Sequence, residues 1–239
     1  MRYPSLMMNY LATFDIDNTL IQSSAGHVES LIFAINDIYG LTTSINVIKH
    51  HGMTDQEIII QILEKYDVDD KTIRSKLKKC MDQMQLQYAR IVQSENIVIL
   101  EGVINLLTKL DQKGFLLGLV TGNLEPIAHA KLKKIGIDHF FKFGGFGSDH
   151  TSRAELIKIA IRRAGNQFDL DDRHQIFHFG DAPQDMRAAR EGGVKPIGVT
   201  TGTFAADELQ SAGAYQVVSN LNDTDAIVQL LLDASHIPQ

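Results

Sequence analysis

The sequence has little cysteine, no excess of basic residues and no long apolar runs. Its 239 residues include one cysteine, Cys80, so no disulfide can form within the chain. Cys80 lies among lysines in a predicted helix, which indicates a structural rather than a catalytic residue. A net charge of −6 gives no reason to expect a nucleic acid partner, since nucleic acids favour basic surfaces.

Membrane segments are also missing from the sequence. No run approaches the roughly 18 apolar residues of a membrane span. The first residues include a basic side chain but no hydrophobic region typical of a signal peptide before Asp15. We therefore expect a cytoplasmic protein with no membrane partner. At 44% hydrophobic and 22% charged residues, the chain has the composition of a globular protein with one large domain or a core plus a smaller one.

Two carboxylates follow an apolar segment near the N-terminus. The run 11–20 reads LATFDIDNTL, with Asp15 and Asp17 where apolar residues give way to Asn18. Open α/β sheets bind ligands at the C-terminal ends of their strands. Clustered carboxylates repel each other unless a cation or a proton lies between them. The run indicates either a metal site with a nucleophile and an acid/base, or a turn with solvated acids.

A second apolar segment, residues 174–181, also ends in an acid. Asp185 follows Asp181 by one helical turn, and Pro183 suits the first turn of a helix. Asp181 and Asp185 could supply a metal ligand and its supporting partner. The helix dipole alone would also favour Asp185 at this place. It would not explain why two separate strands end in acids.

The rest of the chain falls into a helical part and an alternating part. Residues 25–93 predict three helices, the first closed by Gly40, the second opened by a capping box at Thr54, and the third at 71–93. Strands are then predicted at 115–120, 140–143, 176–179, 196–199 and 216–218, separated by helices. One of these helices, 152–164, begins with a predicted capping box from Ser152 to Glu155. Alternating strands and helices favour a parallel sheet.

The motifs DIDNTL, VTGN, a basic residue and GDAPQD occur in this order between residues 15 and 185. Together they resemble the haloacid dehalogenase-like hydrolase superfamily, in its phosphatase branch near the phosphoglycolate phosphatases. The resemblance implies a doubly wound (Rossmann-like) α/β core at 1–21 and 97–239, with a helical cap inserted at 22–96. The polar run 22–26 is then the expected hinge, and Asn18 tolerates the left-handed turn where many relatives carry glycine.

The resemblance also implies roles for the acids. Asp15 would attack phosphorus and form an aspartyl phosphate, and Asp17 would protonate the leaving alcohol and then activate water. For the first task Asp17 needs a proton at neutral pH. Magnesium would be held by Asp15, the Asp17 carbonyl and Asp181, with Asp185 nearby or bound through water.

Phosphate binding is expected from a turn and from a basic residue. The Thr121 hydroxyl and the backbone amides of Gly122 and Asn123 would bind phosphate oxygens, although these residue types also suit an ordinary turn. Arg153 would take the place of the lysine usual in the family. A cation in the first turn of a helix opposes the dipole, and phosphate recognition would explain it. Lys158, a further turn along, is the rival.

The loop with His50, His51 and Met53 would close over the site and contact the organic part of the substrate. We therefore predict a magnesium-dependent phosphatase of small phosphorylated metabolites, either a monomer or a small homo-oligomer. One alternative is a phosphomutase of the β-phosphoglucomutase type. A phosphonate-cleaving enzyme with Lys49 as a Schiff base and a non-catalytic binding module are two others.

Overall fold

A six-stranded sheet forms the centre of the protein in a computed structural model that describes residues 8–22 and 25–234. Its order is β3-β2-β1-β4-β5-β6, and all pairings are parallel. The strands are β1 (Met8–Phe14), β2 (Leu116–Thr121), β3 (Phe143–Phe146), β4 (Leu170–Gly180), β5 (Lys195–Val199) and β6 (Gln216–Val218). The predicted doubly wound α/β fold is confirmed. Residues 1–7 and Ser23–Ser24, which carry part of the expected N-terminal segment and hinge, lie outside the described residues.

Helices surround this sheet. Three of them follow β1 before the chain returns to the sheet: α1 (Ala25–Tyr39), α2 (Asp55–Lys65) and α3 (Asp70–Ile91). The others are α4 (Val103–Gln112), α5 (Glu125–Lys134), α6 (Arg153–Gln167), α7 (Pro183–Glu191), α8 (Ala206–Ser211) and α9 (Thr224–Asp233). In the described part of the chain, none of them combines the length and apolar character needed to cross a membrane.

The register of the central strands brings their carboxyl ends to one edge. Phe14 at the end of β1 pairs with Leu119 of β2 on one side and Phe179 of β4 on the other. β2 is buried along its whole length, as expected for a parallel strand covered on both faces. The residues that follow β1, β2 and β4 therefore meet at the point where the strand order reverses. Such a crevice is where open α/β sheets bind ligands.

The helices between β1 and β2 form a second layer. α1 packs on α3, and the Tyr39 hydroxyl donates to the carbonyl of Ile73 at 2.9 Å. Buried side chains of these helices belong to the same apolar cluster as Phe14 and Phe179 of the sheet. The limits 22–96 for a separate cap stay a prediction.

Two predicted strands differ from the observed ones. The strand predicted at 140–143 lies at Phe143–Phe146, because Asp138–Phe140 forms a 3-10 turn and Phe141 packs edge-on against Phe14. β4 is longer than the predicted 176–179, because it begins at Leu170, which pairs with Met8 of β1 before a register shift leads to the pair of Gln175 with Tyr10. The short helix α8 is an element that the sequence does not predict.

The two predicted capping boxes have different outcomes. Thr54 caps α2, since its hydroxyl accepts a hydrogen bond from the N–H of Glu57 at 3.2 Å. The box predicted at Ser152 is wrong. Among the described residues, the Ser152 side chain makes no capping hydrogen bond to α6. The backbone N–H of Ser152 instead donates to Nδ1 of His150 at 2.9 Å.

Candidate active site

Three buried acids converge where β1 and β4 end. Asp15 directly follows β1, and its N–H donates to the carbonyl of Phe179 at 2.9 Å. Asp181 directly follows β4, and Asp185 lies in the first turn of α7, behind Pro183. The N–H of Ala182 donates to Oδ2 of Asp185 at 3.1 Å, which fixes that side chain. One carboxylate oxygen from each acid lies within 4.8 Å of the others.

Burial and neighbouring negative charge raise the pKa of two of these acids, Asp15 and Asp181. Burial, reinforced by the charges of Asp185 and Asp15, raises the pKa of Asp181 to about 8. Burial also raises the pKa of Asp15, and the neighbouring acids add to the effect against the opposing charge of Arg153. Within the described residues, Oδ1 of Asp15 is buried and has no hydrogen-bond partner. A group of this kind is stabilised in its ionised form by a cation.

Arg153 is the cation that the protein itself supplies. As the first residue of α6, it pairs with Oδ1 of Asp185, and its Nη1 lies 3.4 Å from Oδ2 of Asp15. Burial disfavours its charge, but Asp15 and Asp185 outweigh this and raise the pKa of the guanidinium. Among the described residues its Nε is buried without a hydrogen-bond partner. Lys158 instead lies at the surface, 48% exposed, and pairs with Glu155 at 2.8 Å.

Asp17 lies beside this cluster but is held differently. Both of its oxygens accept hydrogen bonds from Nζ of Lys131, at 2.8 and 2.7 Å, and Oδ2 also accepts one from Nδ2 of Asn123 at 2.8 Å. Burial alone would raise the pKa of Asp17, but the ammonium group of Lys131 outweighs it and lowers the pKa. This arrangement favours the ionised carboxylate, whereas the acid role predicted for Asp17 needs a proton.

Lys131 continues a chain of polar contacts towards α2. Its side chain is fully buried, and Nζ lies 3.1 Å from Nδ1 of His27. Because an ammonium group only donates, Nδ1 of His27 must accept, so its Nε2 carries the proton and donates to Oδ2 of Asp55 at 3.0 Å. The same oxygen accepts the N–H of Leu124 at 2.9 Å. A continuous path of hydrogen bonds thus joins Asp17 to the first residue of α2.

The turn after β2 holds the predicted phosphate-binding residues. The Thr121 hydroxyl is fully buried and accepts hydrogen bonds from the N–H and Nδ2 of Asn123, at 3.3 and 3.1 Å. The carbonyl of Gly122 accepts the N–H of Asp55 at 2.8 Å. A Cβ atom on Gly122 would lie 2.4 Å from the carbonyl oxygen of Met53, so glycine is required for this close approach.

The loop before α2 lies over the same edge of the sheet. Its residues His50, His51 and Met53 line a cavity of about 250 Å³ that also contacts Asp15, Asp17 and Arg153. The carbonyl of His51 accepts a hydrogen bond from Nε2 of Gln184 in α7 at 2.9 Å. Asn18 at the floor of the cavity adopts φ 60°, the left-handed turn predicted for it. Lys49 is exposed and lies in a neighbouring groove with Glu57 and Arg187.

Comparison with known proteins identifies the family. Residues 12–199 match the sequence model of the haloacid dehalogenase-like hydrolases, which covers most of the chain. The protein belongs to this family. It is 25% identical over 236 residues to "Probable phosphatase IndB" of Dickeya dadantii, an alignment that covers 97% of this chain and 98% of the relative.

A second relative and a solved structure are similar to this chain at comparable sequence identity. The phosphoglycolate phosphatase of Agrobacterium fabrum is 26% identical over 196 residues, covering 80% of this chain and 81% of the relative. The crystal structure of a hydrolase from Pseudomonas syringae superposes with a TM-score of 0.68 at 21% identity, covering 92% of this chain and 98% of that one. At this identity the structural likeness establishes the fold.

The acid cluster of this haloacid dehalogenase-like hydrolase fits a divalent metal ion. Asp15, Asp181 and Asp185 offer carboxylate oxygens at one point, and Oδ1 of Asp15 is without a partner in the described chain. Hard cations such as magnesium take oxygen ligands of this type. The identity of the ion stays a prediction.

Lys131, His27 and Asp55 are site residues that the sequence analysis misses. Lys131 is one of three lysines at the basic end of α5, and Asp55 is one of two acids in the first turn of α2. Both positions are common for such charges on a helix surface. Helical periodicity is the signal that could identify Lys131 as the buried lysine of α5. Lys131 lies four residues after the buried Ile127, so both residues are on the same face of the helix.

Proposed function

We propose that the protein is a magnesium-dependent phosphatase that hydrolyses small phosphate monoesters through an aspartyl phosphate on Asp15. One observation carries the proposal. Oδ1 of Asp15 and Nε of Arg153 are both buried, have no partner among the described residues, and belong to side chains that line one cavity. A nucleophilic oxygen beside an available cationic donor matches the needs of phosphoryl transfer.

In the first half-reaction the phosphoryl group moves from the substrate to the protein. An Asp15 oxygen forms a bond to phosphorus while the ester P–O bond breaks, and the leaving oxygen takes a proton from Asp17. Arg153 and the backbone amides beside Thr121 bind the equatorial oxygens, where charge is concentrated. The cavity of about 250 Å³ is at the small end for ligand sites, which favours small substrates.

In the second half-reaction water attacks phosphorus. Asp17, now ionised, accepts the proton of that water, inorganic phosphate leaves, and the Asp15 carboxylate is regenerated. Lys131 and Asn123 hold Asp17 in this ionised form. The protonated form needed in the first half-reaction must then arise against the charge of Lys131. These contacts therefore determine what fraction of Asp17 is protonated for the first half-reaction and what fraction is ionised for the second.

Magnesium would be held by Asp15, Asp181 and the carbonyl of Asp17, with Asp185 nearby. It would neutralise the negative charge of the nucleophile and of the phosphate. Arg153 contributes to the same neutralisation from α6. Asp185 would contribute to both the metal site and the position of Arg153, because it belongs to the acid cluster and pairs with Arg153.

The direct test is to follow phosphate release from simple esters with magnesium, and to trap the intermediate on Asp15. Acid quenching within the first turnover, followed by borohydride reduction, should convert Asp15 to homoserine. Asp15→Asn should abolish turnover and leave the circular dichroism spectrum unchanged, because the amide is isosteric but a poor nucleophile. If an enzyme that turns over substrate still contains aspartate at position 15 after quenching and borohydride treatment, the covalent route is ruled out.

The same assay separates the alternatives. A phosphatase releases inorganic phosphate equal to the ester consumed. A phosphomutase would return the phosphoryl group to a second position of a sugar phosphate, and a binding module would release nothing. A phosphonate-cleaving enzyme would lose its activity when borohydride is added together with substrate, and Lys49 would then carry the modification.

A further inference from the structure

The cavity has two chemically different halves. At the sheet edge it is lined by Asp15, Arg153, Asp181 and the turn at Gly122–Asn123. Six apolar side chains also line the cavity, and five of them come from the segment between β1 and β2. They are Val28, Leu31, Ile45, Met53, Ile58 and Phe204.

Among the described residues that line the cavity, no lysine or arginine lacks a carboxylate partner. Asp17 and Asp55 both line the cavity, and the ammonium group of Lys131 is engaged by Asp17 and His27. The guanidinium of Arg153 is paired with Asp15 and Asp185 at the phosphate end. A second anionic group on the substrate would therefore meet carboxylates and apolar carbon.

Histidines of the segment between β1 and β2 supply polar groups in the cavity. Burial and the adjacent His51 ring lower the pKa of His50, so its imidazole is uncharged at neutral pH. The two rings stack with centroids 4.7 Å apart, and His51 lies edge-on to Phe204. Imidazole groups at these positions can form hydrogen bonds with hydroxyl or carbonyl groups of a substrate.

We infer that the preferred substrate is a phosphate monoester whose organic part is uncharged and largely apolar. This inference rests on the proposed phosphatase function. It separates the protein from an enzyme specialised for phosphoglycolate, whose organic part carries a carboxylate. Bringing that carboxylate into the cavity removes it from water without offering a free countercharge, and the carboxylate of Asp55 adds a like charge nearby, both of which weaken binding.

The test compares two substrates that differ in one charge. We would measure kcat/KM with magnesium for 2-phosphoglycolate and for 2-phosphoglycolamide, which has nearly the same shape and no carboxylate, with phenyl phosphate as a third ester. We expect the amide to exceed the carboxylate by about tenfold, in keeping with like-charge discrimination at a binding site. Equal kcat/KM values for the two esters, or a higher value for 2-phosphoglycolate, would overturn the inference.

A matched pair of variants tests the cause. Ile45 is half-buried in the 3-10 turn Ile45–Val47, so a longer side chain can reach the cavity while its end stays hydrated. Ile45→Lys should raise the ratio of kcat/KM for 2-phosphoglycolate over the amide by about tenfold, because it supplies the missing countercharge. Ile45→Met adds comparable length without charge and should leave the ratio as in the wild type. An equal change in both variants would count against an electrostatic origin and overturn the inference.

The outcome also distinguishes this inference from the proposed function. If all three esters release phosphate and the carboxylate is preferred, the phosphatase stands and only the substrate class is wrong. If none of the three releases phosphate, the proposed function fails and the inference fails with it.

Discussion

At the scale of single residues, the pairing of Asp17 with Lys131 is the contact on which the proposed acid/base chemistry would depend. Lys131 has no exposed surface, and a buried ammonium group without a carboxylate would be costly. Asp17 side-chain exposure is 21%, so water can still reach the carboxylate from the cavity. The pair therefore combines a rigid support on one side with access to substrate on the other.

This leads to a prediction about Lys131→Met. Asp17 would lose the partner that orients it, and a misplaced catalytic group costs about 10²-fold in kcat. In an Asp17→Asn background the same change should cost far less, because Lys131 acts through Asp17. The four enzymes of this cycle would be compared by kcat on one ester. Losses that simply multiply would show that Lys131 acts independently of Asp17.

Stability provides the control for that cycle. Lys131→Met should lower the free energy of unfolding by about 3 kcal/mol, the lower end for breaking a buried pair, because Asp17 is partly hydrated. The double variant should recover part of this loss, since no unpaired carboxylate remains. Urea unfolding of the four proteins gives both values.

A second prediction at this scale compares Arg153 with Lys158. Arg153→Ala should lower kcat/KM by about 10²-fold for every ester, because it removes a charge contact to the phosphoryl group that all substrates share. Lys158→Ala should leave kcat/KM unchanged, since this side chain is exposed and pairs with Glu155. A substrate-dependent loss in Arg153→Ala would place Arg153 at the organic part instead.

At the scale of elements, the loop before α2 is held against the turn after β2. The N–H of Asp55 donates to the carbonyl of Gly122, and Gly122 allows the carbonyl of Met53 to approach closely. The backbone at Gly122 thus serves two purposes, since its amide is also a predicted phosphate donor. These contacts join substrate binding to the position of α2.

We predict that Gly122→Ala impairs closure while keeping the amide donor. The added Cβ would lie 2.4 Å from the carbonyl oxygen of Met53, so the loop must move away. KM should rise by about tenfold or more, as expected when a closing element no longer assembles over the substrate.

Gly165→Ala in α6 is the matched control for this change. Its Cβ would meet only Cδ1 of Leu170, at 4.0 Å, and alanine is the better helix former, so kinetics should be unchanged and the protein slightly more stable. Wild-type KM in Gly122→Ala would show that the close approach is not needed for binding.

The elements also show why some features could be predicted from the sequence and others could not. Asp15 and Asp181 were predictable because each ends an apolar run, and adjacent parallel strands then place both at one edge. The contact of Lys131 with Asp17 joins residues 114 positions apart, and local periodicity carries no information about it. The N-terminal part of β4 is not predicted because residues 171–175 read DDRHQ and show no apolar pattern typical of a buried strand.

At the scale of the whole molecule, the acid cluster would couple the binding of a metal ion to folding. Asp15, Asp181 and Asp185 are almost completely buried and held together only in the folded protein, whereas they are separate and hydrated in the unfolded chain. A divalent cation should therefore bind the folded state preferentially and stabilise it. This gives a readout of the metal site that does not require catalysis or a known substrate.

We predict that magnesium raises the melting temperature. At a concentration 100 times its dissociation constant it should add about 2.7 kcal/mol, which corresponds to roughly 5–10 °C for a protein of this size. Asp15→Asn should melt above the wild type in chelator, because it removes one of the repelling carboxylates, and should respond to magnesium much less. Asp111→Asn removes an exposed carboxylate on α4 and should respond as the wild type does. Calorimetry of the three proteins, each with chelator and with magnesium, tests this. Equal magnesium shifts in all three would place the binding site away from Asp15, and the electrostatic account of this sheet edge would then have to rest on Arg153 alone.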